Sequence, residues 1–193
     1  MSKEVPRVRT PVSLDQYVAA CRACWPDEMG GPAPYPAVAI LWAQYMVETG
    51  GAACWNWNLG NVKHVDGDGY DWFDLPGAWE VVGGKRVDLP AGHPGRRFRA
   101  YPDLATAMPE KLRFLYRGRY AAAWGAAIRG EPETFAQELK KAGYYTAPAE
   151  LYAQGMRARF AEFLRRVPRW EDPDEDRVVT VRDLSAVVDG VKR

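Results

Sequence analysis

The chain has 193 residues, 47% apolar and 26% charged, a balance that excludes disorder and collagen-like structure and suits one domain with a full core or two small ones. No apolar run approaches the roughly 20 residues that span a bilayer, and the start, MSKEVPRVRTPVSLDQ, contains no stretch of the signal-peptide kind. A net charge of +1 argues against wholesale binding to nucleic acid or insertion into an anionic membrane.

Ser13 and Gln16 form an S-x-x-Q capping box, and Leu14, Tyr17, Val18, Cys21 and Trp25 recur at helical spacing, so a first helix begins there. Pro26, Gly30, Gly31, Pro32 and Pro34 then read as a rigid loop. Pro36 opens a second helix that Gly50 and Gly51 stop. It is apolar almost all round, as a buried central helix would be. Residues 52–78 hold no sustained period and are rich in Gly, Asp, Asn and Trp, which predicts a long ordered loop of the functional kind. Residues 79–89 predict a β-hairpin around Gly83-Gly84, and RFRAY (97–101) can add a third strand. Asp103 is placed to cap a helix reaching Tyr116, with Pro109 as a kink or break. A short Ala-rich helix over 120–129 stops at Gly130, Pro132 opens another that ends at Gly143, and Pro148 opens a last one ending before Pro168. The fold class this predicts is α+β, predominantly helical, with a small β-hairpin lobe between helical segments. Residues 168–193 form an acidic C-terminal tail or linker.

Charge and aromatics are unevenly spread. Residues 48–80 carry a net −5 and residues 96–169 a net +8, which suits a cleft with carboxylates on one wall and an anionic polymer along the other. Solvated helix faces are the plainer account of most of those arginines. Trp42, Tyr45, Trp55, Trp57, Tyr70, Trp72, Phe73 and Trp79 fall within 38 residues, and residues with polar tips in that number are expected in part to line a groove.

Glu48 is the first candidate for chemistry. It is the only acid between Pro36 and Thr49, and the helix ends right after it. Desolvation among Leu41, Trp42 and Tyr45 and the negative end of the helix dipole both favour its neutral form. A carboxyl protonated near neutral pH is what general acid catalysis at a glycosidic oxygen requires. A last-turn Glu pointing into water is the alternative. A glycosidase also needs a second anionic group, for which Glu80 is the first choice and Asp71 and Asp74 the reserves. The three cysteines (Cys21, Cys24, Cys54) imply no closed disulfide framework. Cys21-x-x-Cys24 with Cys54 and His64 lacks the knuckle turn of structural zinc sites, so no metal is expected there. Cys54 with His64 or His93 leaves a thiol amidase or endopeptidase as a rival class. Asp66-Gly-Asp68-Gly-Tyr-Asp71 reads as an acidic turn, lacking the later bidentate Glu of a calcium loop.

Four segments, in order, resemble the bacterial peptidoglycan glucosaminidases of glycoside hydrolase family 73, which include flagellar cell-wall hydrolases. VETGG (47–51) is similar to the end of the family's catalytic helix, which puts its general acid on Glu48. NLGNVK (58–63) resembles N-L-F-G-I-K, with Asn58, Val62 and Lys63 in register and Gly60-Asn61 in place of Phe-Gly. FRAYPDLATAM (98–108) resembles the step F-R-x-Y-x-S, and AGYYTAP (142–148) resembles A-G-Y-A-T-D-P, which puts the family's active-site Tyr on Tyr144, with Ala147 replacing the usual Asp.

The resemblance implies a lysozyme-like glycosidase domain over residues 10–167 that cleaves β-1,4 bonds between N-acetylglucosamine and N-acetylmuramic acid without a cofactor. Glu48 would protonate the leaving oxygen, Glu80 would assist water or stabilise charge, and Tyr144 would position the substrate. Trp57 and Tyr145 would cover sugar faces while Asn58 hydrogen-bonds acetamido or hydroxyl groups. A muramidase or lytic transglycosylase of the same fold, and a non-catalytic wall-binding module, are the other expectations. Synthesis in the cytoplasm without a signal peptide would make the protein a phage endolysin or tail lysin, or cargo of a secretion apparatus, with the tail contacting its phage or secretion partner.

Overall fold

The computed structural model describes residues 2–170 apart from 52 and 146, with the side chains of Val81 and Val82 also left aside. The described residues form six α-helices and three two-stranded antiparallel sheets. The calls on residues 171–193, the body of the expected tail, lie outside them.

α1 (Leu14–Met29) begins on the expected capping box: the Ser13 hydroxyl accepts from Gln16 N–H at 3.1 Å, and the Gln16 side chain accepts from Ser13 N–H at 3.0 Å. Pro26 lies inside this helix rather than opening a loop. It forfeits only one backbone hydrogen bond near the helix end, while Trp25 stacks on Trp124 at 5.4 Å and holds the last turn in place. α2 (Tyr35–Glu48) is the central helix: every residue from Ala37 to Met46 is buried, and it packs on α6, α4 and α1. α3 (Leu104–Tyr116) starts at Asp103, whose carboxylate accepts from Thr106 N–H at 2.7 Å, and it continues through Pro109. α4 (Ala121–Arg129), α5 (Pro132–Lys141) and α6 (Ala149–Arg166) complete the helical lobe. Trp170 rests edge-on against Tyr35 and donates to Ala33 O at 2.9 Å, so the packed body reaches past residue 167.

The β-lobe departs from the expected hairpin plus third strand. β1 (Arg9–Thr10) pairs with β2 (Cys54–Trp55), β3 (Asp71–Asp74) with β6 (Arg97–Ala100), and β4 (Trp79–Val82) with β5 (Lys85–Asp88). RFRAY therefore joins β3, inside the stretch read as loop, and not the hairpin. The reason is packing: Phe73 and Phe98, opposite each other and 5.9 Å apart, close a second small core with Ala78, Leu89 and Ala100. Residues 3–5 run alongside the other edge of β3, with Trp72 N–H donating to Lys3 O and Val5 N–H to Trp72 O. The β4–β5 hairpin turns at Gly83 (φ +58°) and Gly84 (φ +79°), as the sequence requires.

The charge segregation along the chain is largely cancelled in three dimensions. Asp66, Asp68 and Asp74 of the acidic middle pair with Arg97, Arg99 and Arg96 of the β6 region. Most helical arginines pair with glutamates on their own or neighbouring helices. The acidic wall facing a basic polymer-binding wall is thus replaced by two segments that neutralise each other at their meeting point.

Gly130 closes α4 at φ +72°, and a Cβ there would lie 2.7 Å from the Pro36 side chain at the start of α2. Gly130→Ala is expected to destabilise the fold by more than about 1 kcal/mol, read as a lowered urea midpoint at unchanged slope.

Candidate active site

The site is built at the end of α2. Thr49 N–H and Oγ1 both bond to Tyr45 O, and Gly50 and Gly51, both in the left-handed region, turn the chain away. This leaves Glu48 as the last helical residue, half-buried. Its Oε1 accepts a 2.7 Å hydrogen bond from the Tyr152 hydroxyl on α6, and Asn61 Nδ2 approaches its backbone carbonyl at 3.2 Å and its Oε2 at 3.5 Å. Burial raises the Glu48 pKa above the ordinary glutamate value, opposed by the Tyr152 hydrogen bond, the charge of Lys111 and the Asn61 amide. The outward-pointing alternative does not describe this side chain.

Lys111 is only 3% exposed, and its Nζ donates to Leu59 O at 3.3 Å. Burial lowers its pKa to about 8, while Glu48 pulls the other way. Neither Lys111 nor Tyr152 follows from motif reading. Lys111 does leave a signal, since Ala107, Met108, Lys111, Leu112 and Leu115 form one buried stripe in which a lysine is out of place. Tyr152 leaves none, being 104 residues from its partner.

Between Glu48 and Lys111 runs the segment 56–61, which holds all three positive-φ non-glycine residues described: Asn56 (47°), Trp57 (56°) and Asn61 (51°). Such strain persists only where surroundings fix it. Asn56 bonds Pro6 O and Val8 N–H through its side chain, Trp57 N–H donates to Thr10 Oγ1, and Tyr101 N–H donates to Asn56 O.

The substrate-binding role expected of Asn58 needs correcting. The residue is buried, its Oδ1 accepts from Val62 N–H, and its Nδ2 donates to Val62 O and Arg99 O, all at 2.8–2.9 Å. It folds the segment and presents nothing to a ligand. Tyr145 is half-buried, its ring stacks on Tyr152 at 4.0 Å and 10°, and its hydroxyl donates to Ala136 O. It braces the residue that holds Glu48. Trp57 is half-buried against the helical core. Tyr144 donates to Gly60 O at 3.1 Å and is packed edge-on by Phe114 and Tyr120. Burial and the nearby Glu48 charge keep its phenol protonated.

Glu80 lies on β4 with its carboxylate 3.9 Å from Lys63 Nζ, about half exposed. Asn61 touches Glu48, and Lys63, two residues on, meets Glu80; that is at most about 7 Å of chain. The two carboxylates flank one short segment. The reserves are committed elsewhere: Asp71 accepts from Lys3 N–H, and Asp74 binds the Arg96 guanidinium. Cys54 is buried, its thiol faces Thr10, and burial raises its pKa, which is unlike an activated nucleophile. Cys24 Sγ points at Cys21 O on α1. Among the described residues no group of three or more His, Cys, Asp or Glu is placed to hold a metal. Asp68, in the acidic turn, accepts from Val65 N–H, Tyr70 N–H and Arg99.

No protein-family model matches the chain. No curated protein matches it either. Solved structures do. A mutant of a peptidoglycan hydrolase from Sphingomonas sp. A1 superposes with TM-score 0.54 at 24% identity, covering 76% of this chain and 97% of that one. The Sphingomonas sp. A1 peptidoglycan hydrolase itself gives 0.50 at 23%, covering 78% and 94%. The glycoside hydrolase domain of Salmonella typhimurium FlgJ gives 0.47 at 19%, covering 79% and 89%. The fold is lysozyme-like. That is what the two Sphingomonas structures share with this chain, together with its predominantly helical α+β class.

Tyr152→Phe removes a hydrogen bond that favours the charged form of Glu48, so the Glu48 carboxyl is expected to titrate at still higher pH by carbon-detected NMR. Lys111 binds fewer protons in the folded than in the unfolded chain between about pH 8 and 10.5, so its contribution makes stability rise with pH across that window. Lys111→Met is expected to remove that slope from chemical unfolding measured between pH 8 and 10.5.

Proposed function

We propose that the protein is a peptidoglycan hydrolase of the glycoside hydrolase family 73 type, an N-acetylglucosaminidase acting on the β-1,4 bond between N-acetylglucosamine and N-acetylmuramic acid. The observation that carries this reading is Glu48: a half-buried carboxyl, biased toward its neutral form and held between Tyr152 and Asn61, on a fold shared with peptidoglycan hydrolases.

In this reading Glu48 protonates the bridging oxygen as the glycosidic bond breaks, and the charge of buried Lys111 favours the carboxylate that results. Glu80, about half exposed on β4 beside Lys63, draws the proton from water or stabilises the oxocarbenium-like centre. Tyr144 holds Gly60 and with it the segment that carries Asn61 to Glu48. Trp57 offers a flat face to the glycan.

Glu48→Gln is expected to lower wall clearing by about 100- to 10,000-fold with the thermal midpoint retained; a variant that clears walls like the wild type would leave only a binding module. Cys54→Ala is expected to keep activity, against a thiol amidase. Mass spectrometry of digested peptidoglycan is expected to show N-acetylglucosamine at the new reducing ends; N-acetylmuramic acid there, or its anhydro form, would instead make the enzyme a muramidase or a lytic transglycosylase.

A further inference from the structure

α3 presents a second stripe beside the buried one. Glu110, Arg113 and Phe114, on one face of α3, and Arg117, just past its end in an extended conformation, line a cavity of about 570 Å³ open to solvent between α3, the end of α1 and the β-lobe. Its charged floor is self-satisfied. Arg113 binds Glu28 of α1 and, at 2.6 Å, Glu110; Arg99 of β6 reaches Asp68 at 2.8 Å and Glu110 at 3.8 Å. These pairs tie the helical lobe to the β-lobe.

Two lining charges stand apart. Arg117 and Asp27 are exposed, and neither makes an ion pair among the described residues. Arg117 donates through Nε to the Tyr116 hydroxyl at 3.2 Å and lies over that ring. Phe114 joins the cavity to the active site, its ring 6.2 Å from Tyr144, whose hydroxyl is on Gly60.

We propose that this cavity binds the peptide stem of the wall polymer while the glycan lies against Glu48, with Arg117 taking a stem carboxylate and Asp27 a stem ammonium. The inference rests on the peptidoglycan reading above. A neutral sugar would have no use for a free cation and a free anion on one wall, whereas a zwitterionic peptide matches both. A polyanion would meet Asp27, Glu28 and Glu110, and a polycation Arg99, Arg113 and Arg117, so the balanced lining selects against each.

The test uses the full chain on glycan strands with intact stems and on the same strands stripped of stems by an amidase, together with calorimetry of the free stem peptide. Arg117→Glu is expected to lower kcat/KM on stem-bearing strands by about tenfold or more, to leave stripped strands within about twofold, and to abolish stem-peptide binding. Asp27→Lys is expected to act likewise on stems with a free amine and to have no effect once that amine is acetylated. An equal loss on both strand types, no loss on either, or unchanged peptide binding overturns the stem site. A wild-type protein that cleaves neither strand type overturns the peptidoglycan reading instead.

Discussion

Glu48 is drawn out of water because α2 is apolar on nearly every side and ends at that residue, leaving the side chain half-buried. Desolvation is the largest influence on its protonation, and every polar contact around it opposes that influence without cancelling it. The opposition matters. Tyr152, Asn61 and Lys111 all favour the carboxylate, so in the proposed role of proton donor the anion left behind would not be stranded. The surrounding architecture keeps those three in place: α6 carries Tyr152, α3 carries Lys111, and the strained segment 56–61 carries Asn61.

Elements with local signals were legible in the sequence. The capping box at Ser13, the Asp103 cap, the Gly83-Gly84 turn and the helix-opening prolines are contained within a few residues each, and they fold as read. The desolvation of Glu48 was legible because a lone acid in an apolar helix is a local anomaly. The pairing of β3 with β6 was not, since strands of four residues set 23 or more apart are matched by the Phe73–Phe98 contact rather than by any turn. Pro26 and Pro109 misled for the opposite reason: their local cost is real, but tertiary packing of Trp25 and of the α3 stripe exceeds it.

The site residues divide the same way. Asn58 matched a motif and was therefore expected at the substrate, yet its amide is used up in folding the motif itself. Tyr145, only half-buried, combines a ring stacked on Tyr152 with partial exposure. A motif carries both the groups that touch a ligand and those that shape the loop. Sequence alone does not separate them, because an Asn at either task has the same donors and acceptors. Burial separates them.

The extended residues 3–10 run along two of the small sheets and supply Pro6, Val8 and Thr10 to the very backbone that is twisted into the left-handed region beside the acid. That leading ribbon is therefore part of the scaffold of the segment beside Glu48. Trimming it, or burdening it with a bulky fusion, would slacken the loop from outside without touching a single side chain near Glu48, and a preparation made that way could look inert for reasons of mechanics rather than chemistry.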